Sequence, residues 1–291
     1  MAIDKVALTE KIHDELDLEI GIPCILFFPN DEKNTTLTGC KLGGVPYWDK
    51  NRPYPTDKDG NKLMLLAQFN LGEIAEVWPT GMGMLPQKGI LQFFLLSGDD
   101  YLFGMNFDNY ADGNRHRVIY HPSVDPNVTE QDVLALDIPT SLNLKNDYEP
   151  IRGELAYDFK ACVMAHPDYG NYREAFMEKA RAYGWKISRK HADKSYDVYD
   201  WLGDEAGEKL YELTYFDFTY LLGYPFFLQN SVYEVEPQYA GYDMQLLQIA
   251  SINDGKNTAM WGDTGIAHFL INHEKLEQGD FSDVMYYWDC Y

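Results

Sequence analysis

Apolar positions recur along this chain with two periods, and each period predicts its own kind of element. Leu8, Ile12 and Leu16 fall four apart in Leu8-Thr-Glu-Lys-Ile-His-Asp-Glu-Leu16, one face of a helix. The continuous apolar run over 22–28 predicts a strand closed by Pro29-Asn30. From there to about residue 122, short aromatic and aliphatic runs (63–69, 90–96, 101–107 and 118–120) alternate with turn clusters such as Asp57-Lys-Asp-Gly60 and Ser97-Gly-Asp-Asp100. That text reads as successive strands. Over 151–165 the alternation is cleaner: Leu155, Tyr157, Phe159, Ala161, Val163 and Ala165 share one face, Asp158 and Lys160 the other. Period two of this kind predicts a half-buried antiparallel strand or hairpin.

The middle of the chain carries helix signals. Thr129-Glu-Gln-Asp132 opens one with a cap-like pattern. Asn171 stands as N-cap of another, with Glu174 in its first turn, Gly184 beyond its last turn, and Phe176, Ala180 and Tyr183 on its buried side. A third runs over about 204–213, weakened by Gly207. The polar and aromatic stretch 186–200 reads as a loop or edge. The last third returns to strand-like text and ends in the acidic aromatic tail Tyr286-Tyr-Trp-Asp-Cys-Tyr291.

Three groups of residues recur in the same order. Gly44-Val-Pro46-Tyr-Trp48 is matched by Gly223-Tyr-Pro225-Phe-Phe227, Leu66-Ala-Gln68-Phe69 by Leu246-Leu-Gln248-Ile249, and Gly89-Ile-Leu-Gln-Phe93 by Gly265-Ile-Ala-His-Phe269. The order predicts two similar β halves, about 22–122 and about 215–291, linked by a helix-containing middle, 123–214, within a single domain. The fold class expected is mainly β (α+β): antiparallel sheets or a β roll built of two similar halves, with peripheral helices at the N-terminus and in the middle.

The same residues carry a resemblance. Gly43-Gly-Val-Pro46, Leu66-Ala-Gln68, Gly89-Ile-Leu-Gln-Phe-Phe94, Leu247-Gln-Ile-Ala-Ser251, Trp261-Gly-Asp263-Thr-Gly265 and Asp280-Phe281 resemble the YwqG-like family of bacterial proteins, a domain of unknown function, from about Gly43 to the C-terminus. The resemblance implies an antiparallel β fold of two halves with peripheral helices. It implies no established reaction and supplies no catalytic residues; an immunity-type, toxin-neutralising role has been suggested for some relatives.

Composition narrows the function classes. With 24 Lys and Arg against 46 Asp and Glu, the 291-residue chain has a formal net charge of −22. Sequence-independent nucleic-acid binding needs cations on phosphates, and an anionic membrane surface would repel such a chain. Hydrophobic residues at 45% suffice for a sizeable core. The N-terminal residues lack a signal-peptide pattern, no apolar stretch nears the roughly 18 residues of a spanning helix, and Cys24, Cys40, Cys162 and Cys290 show no paired spacing. A cytoplasmic protein with reduced thiols is the expectation, with no cofactor and no metal.

Candidate chemistry concentrates in few places. Trp261-Gly-Asp263-Thr-Gly265 followed by His268 sets a carboxylate and an indole on an exposed turn near an imidazole, the minimum for general acid–base work. The same turn also serves if Asp263 caps backbone amides and Trp261 fills the core. Gln68 and Gln248, on apolar strands, must satisfy their amides by ligand binding or by stitching neighbouring backbone; Asn70 and Ser251 would then bond to the turn beyond each strand. The pairs His116/His121 and His268/His273 are five apart, which on a strand means opposite faces. Asp57-Lys-Asp-Gly-Asn61 is a hairpin turn rather than a calcium loop. Gly81-Met-Gly83 lacks the last glycine of a dinucleotide fingerprint, and no nucleophile elbow is present.

Tyrosine and carboxylate together mark protein-binding surfaces, and Tyr233, Glu234, Glu236, Tyr239 and Asp283 combine both. These residues point to binding of a basic protein partner without catalysis. The alternative is an enzyme or small-molecule binder with a cleft between the two halves. Oligomeric state is not legible in the sequence.

Overall fold

The apolar runs pair with one another as antiparallel strands, in a computed structural model that describes residues 3–78, 84–98, 101–144, 149–186, 198–253 and 258–291. In chain order the elements open with α1 (Lys5–Ile20), β1 (Ile22–Asn30), β2 (Lys41–Gly43), β3 (Met64–Asn70), α2 (Leu71–Val77), β4 (Ile90–Leu95) and β5 (His116–His121). They continue through α3 (Glu130–Leu134), β6 (Ile151–Arg152), β7 (Glu154–Met164), α4 (Tyr172–Ala182), α5 (Val198–Leu202), α6 (Asp204–Thr214) and β8 (Thr219–Leu222). The rest is α7 (Val232–Val235), β9 (Met244–Ala250), β10 (Ile252–Asn253), β11 (Thr258–Ala259), β12 (Ile266–Ile271), α8 (His273–Glu277) and β13 (Val284–Asp289). Two compact units result: Met1–Cys24 with Cys162–Asp217, and Ile25–Ala161 with Phe218–Tyr291.

The smaller unit is helical. Asp4 opens α1 by accepting the Ala7 N–H at 3.1 Å, and Ile12 and Leu16 bury against Tyr172, Phe176 and Ala180 of α4. Lys179 ties the two helices through Glu15 at 3.0 Å and Glu19 at 2.5 Å. Tyr183 departs from its expected buried position: it is 39% exposed, donates its hydroxyl to Glu15 and carries Lys11 over its ring. Gly207, unfavourable for helix propensity, has a packing reason. A Cβ there would stand 2.7 Å from the Tyr199 carbonyl oxygen, so only glycine lets α5 lie so close to α6. Of the 186–200 stretch, 187–197 lie outside the described residues, as do Gly81-Met-Gly83 and residues 99–100.

The larger unit is built on a ten-stranded sheet in the order β13-β12-β9-β8-β1-β7-β2-β3-β4-β5, with a small sheet β10-β11-β6 beside it. The fold is therefore mainly β and antiparallel with added helices, as the sequence patterns predict. Within it stand two meanders, β3-β4-β5 and β9-β12-β13, preceded in pairing by β2 and β8. Ile-Leu-Gln-Phe-Phe-Leu of β4 and Ile-Ala-His-Phe-Leu-Ile of β12 are buried at every position. Both faces are covered, so these strands lose the alternation of a half-exposed sheet. One face builds the main core with Phe69, Phe93, Leu247, Trp261, Phe269 and Tyr286. The other is covered in the first meander by Val45, Tyr47, Trp48 and α3, and in the second by Val232 and its aromatic neighbours.

The meanders share backbone devices. Strand pairing skips Leu66 in β3 and Leu246 in β9, a bulge two residues before each glutamine. Gly43 and Gly44 (φ 64° and 76°) turn the chain out of β2, and Leu222 and Gly223 (φ 62° and 77°) do so after β8. A Cβ on Gly89 would lie 2.2 Å from the His121 carbonyl oxygen, and one on Gly265 would lie 2.2 Å from that of Asp289. Asn70 caps α2 through Gly72 and Glu73, and Ser251 bonds the Gly265 carbonyl at 2.6 Å, each serving the turn beyond its strand.

The expected strand at 101–107 is a turn. Phe103 and Gly104 both take left-handed backbone (φ 49° and 83°), which breaks an extended run. Its aromatic text is explained by packing under the C-terminal strand: the Leu102 carbonyl accepts from the Trp288 indole, and the Phe103 carbonyl from the Tyr286 hydroxyl, each at 2.9 Å.

Candidate functional site

A buried polar row crosses each meander on the face away from the main core. In the first, Gln68 accepts the Tyr47 N–H at 2.9 Å and donates to the carbonyls of Leu37 and Gly39 at 2.9 and 3.0 Å. Gln92, its cross-strand partner, donates to Gln68 and to the Tyr47 carbonyl, both at 2.7 Å. Its oxygen accepts from His121 Nε2 at 2.9 Å. In the second, Gln248 accepts the Phe226 N–H at 3.0 Å and donates to the Phe218 carbonyl at 3.1 Å. The residue after proline is held in both cases. So is the carbonyl before proline: Lys41 Nζ donates to Val45 at 2.6 Å, and the Tyr220 hydroxyl donates to Tyr224 at 2.7 Å. Gln68 and Gln248 therefore stitch each Gly-Xaa-Pro-aromatic loop onto its strand, with no open face toward solvent.

Trp261, Asp263 and His268 do not converge. Trp261 is fully buried in the main core and donates its indole N–H to the Tyr286 hydroxyl at 2.9 Å. Asp263 is exposed, and among the described residues its carboxylate takes no hydrogen bond; only its carbonyl accepts, from the Tyr291 N–H. His268 is fully buried against Phe227, with Nδ1 donating to Gln245 at 3.1 Å. Its carboxylate neighbour is Asp289, 3.9 Å from Nε2 and also buried, which accepts the Gln229 N–H through its other oxygen at 2.9 Å. A separation of 3.9 Å is too long for a hydrogen bond.

Several of these residues were not singled out as site residues from the sequence. Gln92 holds the third position of β4 as the candidate His268 does of β12, and that correspondence is the available signal. Asp289 and Lys41 offered none, because their partners come from other strands. Lys41 is buried, and desolvation brings its amine down to about 8 against the opposing pull of Glu154. His116 and His121 do take opposite faces of β5: His116 Nε2 donates to the Val284 carbonyl at 2.7 Å, while His121 packs on Tyr47 and Trp48. Burial lowers both imidazoles to about 4, helped at His121 by Arg52.

The acidic aromatic residues gather on one surface. The Tyr233 hydroxyl donates to the Tyr242 carbonyl, and the Tyr242 hydroxyl to Asp283, each at 2.7 Å. Tyr239 stacks by Tyr110, whose N–H it accepts at 3.1 Å. Asp283 is engaged internally: burial raises its carboxyl, but bonds from Lys275 (2.8 Å) and Tyr242 prevail and hold it below the usual range. Glu234 and Glu236 differ. Among the described residues neither joins an ion pair, and Val235 between them is 53% exposed.

Where the two meanders meet, a cavity of about 90 Å³ lies between Ala111–Val118 and Phe281–Val284 residues, including His116 and Arg117. Drug-sized ligands occupy roughly 300 Å³ or more. A wider depression of about 460 Å³ in the helical unit is lined by Tyr199, Gly203, Asp204, Gly207, Glu208 and Tyr211, none of them a site residue expected from the sequence.

Fold and site together define a mainly antiparallel β protein of two meanders with sealed polar rows and an acidic aromatic surface. Residues 40–290 match the family described as a domain of unknown function, DUF1963, and the chain belongs to that family. No curated protein matches it. No helix among the described residues is long and apolar enough to cross a membrane.

Proposed function

We propose that the protein is a binding module that masks a basic surface on a protein partner, with Glu234, Val235, Glu236 and Tyr239 as the contact patch. The observation that carries this reading is that, among the described residues, neither Glu234 nor Glu236 joins an ion pair, beside the exposed Val235 and half-buried Tyr239, on a chain of net charge −22. Such a field steers cationic partners and speeds their association. On the same reading the protein is a YwqG-like member of its family and acts in the cytoplasm, in an immunity-type role. Nucleic acid and membrane are not its partners, and its two halves descend from one duplicated unit.

The test is titration with a lysine-rich peptide at low and raised salt, using Glu234→Lys/Glu236→Lys against the parent. Binding should weaken with salt and fall roughly tenfold or more in the variant. Equal affinity in both proteins sinks the reading. Asp283→Asn is a poor probe, since it breaks the Lys275 and Tyr242 contacts as well. The alternative, catalysis or small-molecule binding in a cleft between the halves, has less support. Its imidazole, His268, is sealed in the row while its carboxylate, Asp263, is exposed and apart from it, and the cavity between the meanders is small.

A further inference from the structure

Two of the four cysteines meet. Cys24, near the start of β1, and Cys162, near the end of β7, are 138 residues apart in sequence, yet their Sγ atoms stand 2.7 Å apart. The two strands are neighbours in the sheet, and both cysteines belong to the helical unit. Cys24 is fully buried, whereas Cys162 is part-exposed. A disulfide bond is about 2.05 Å long, so bonding requires the sulfurs to approach by only about 0.7 Å. A part-exposed cysteine with a second sealed behind it is the arrangement of an attacked thiol and its resolving partner.

We propose that Cys24 and Cys162 are a redox-active pair, in which a peroxide oxidises Cys162 and Cys24 resolves it into an intramolecular disulfide. In the first step the Cys162 sulfur attacks the peroxide, the O–O bond breaks, and the products are Cys162 sulfenic acid and one molecule of alcohol or water. In the second the Cys24 sulfur displaces the sulfenic oxygen, which leaves as water with the two remaining protons. Two thiols lose two electrons, and the peroxide gains them. A dithiol reductant reverses the bond. The other two cysteines are internal references. Cys40 is buried with its thiol raised to about 12 and its sulfur engaged by Asn70, which keeps it unreactive. Cys290 is part-exposed, and no second sulfur contacts it among the described residues.

The reduced full-length protein is treated with hydrogen peroxide, alkylated, digested without reduction and mapped by mass spectrometry. The expected product is a Cys24–Cys162 linked peptide, two hydrogens lighter than its separate thiols, with Cys40 and Cys290 recovered alkylated. In Cys24→Ser, Cys162 should persist as sulfenic acid that dimedone traps. In Cys162→Ser, Cys24 should stay a thiol. Cys162 accumulating as sulfinic acid in the parent while Cys24 is alkylated, or Cys290 oxidising first, overturns the proposal. Should Cys24→Ser fail to fold, the parent map and the part-exposed Cys162→Ser decide.

Discussion

In the meander β3-β4-β5 the buried row Gln68–Gln92–His121 passes from strand to strand through contacts of 2.7 and 2.9 Å, whereas in β9-β12-β13 the row Gln248–His268–Asp289 stops at a 3.9 Å gap. The backbone beneath the two rows is the same in its bulge, its left-handed turn and its close-packed glycine. The difference is the middle residue. An amide carries a donor and an acceptor on one swivelling group and serves both neighbours. An imidazole holds its two nitrogens at opposite ends of a rigid ring. With Nδ1 turned to Gln245, His268 leaves its other nitrogen on the side of Asp289 and not of Gln248, whose oxygen accepts from the Tyr220 hydroxyl at 2.8 Å instead. Backbone geometry and apolar packing are thus common to both halves, and the polar row is the layer that varies.

Removing a glutamine should break this comparison most severely. Gln68→Leu leaves the Tyr47 N–H, the Leu37 and Gly39 carbonyls and Gln92 with unmet bonds, and should lower stability by about 4 kcal/mol in urea unfolding. Gln248→Leu should cost about 1 kcal/mol less, because the Tyr220 hydroxyl still has the Tyr224 carbonyl. Equal losses would show that the two rows carry the same load.

Acid should come next, acting through buried imidazoles, two of them in the first meander and others, His13 and His166, in the helical unit. His116 and His121 titrate near 4 when folded, against 6.5 when unfolded. The unfolded chain therefore takes up their protons first as pH falls. The stability from each is complete above about pH 6.5 and is lost toward about pH 4, on the order of 3 kcal/mol apiece. The urea midpoint measured against pH should fall across that window, and His121→Gln should flatten the fall. An unchanged slope in the variant would remove His121 from the account.

Transplanting one row into the other sharpens the comparison at smaller scale. His268→Gln and Asp289→His together should be less destabilising than the sum of the single changes, by about 1 kcal/mol in a double-mutant cycle. A coupling of zero would mean that the row is not a transferable unit. The smallest effect belongs to the surface: Glu234→Gln with Glu236→Gln should change stability by about 0.5 kcal/mol or less while altering peptide binding.

Much of the β architecture was legible because its signals are local. Apolar runs, Gly-Pro-aromatic turns and a glutamine two residues beyond a leucine bulge all recur within short windows. Phe103 and Gly104 show where such signals fail: aromatic text in a turn looks like a strand until a left-handed backbone breaks it. Pairings made across the sheet were not legible at all. Nothing near His268 in sequence announces Asp289, and nothing near Cys24 announces Cys162. The Asp263 turn misled for the opposite reason, since five adjacent residues put a carboxylate close to an imidazole in sequence and the strand then carried the imidazole inside.

The approach of β5 to β13 has a consequence for how the protein keeps to itself. These are the outermost strands of the ten, and bare strand edges are where sheets recruit one another into aggregates. Here the His116 imidazole occupies the Val284 carbonyl, and the Tyr110 carbonyl takes the Tyr286 N–H at 3.0 Å. Each border guards the other, so a foreign strand meets hydrogen-bonding groups already in use. Replacing His116 with a side chain that cannot donate would unfasten that border, and clumping of such a variant would then be a failure of edge protection before it was one of folding.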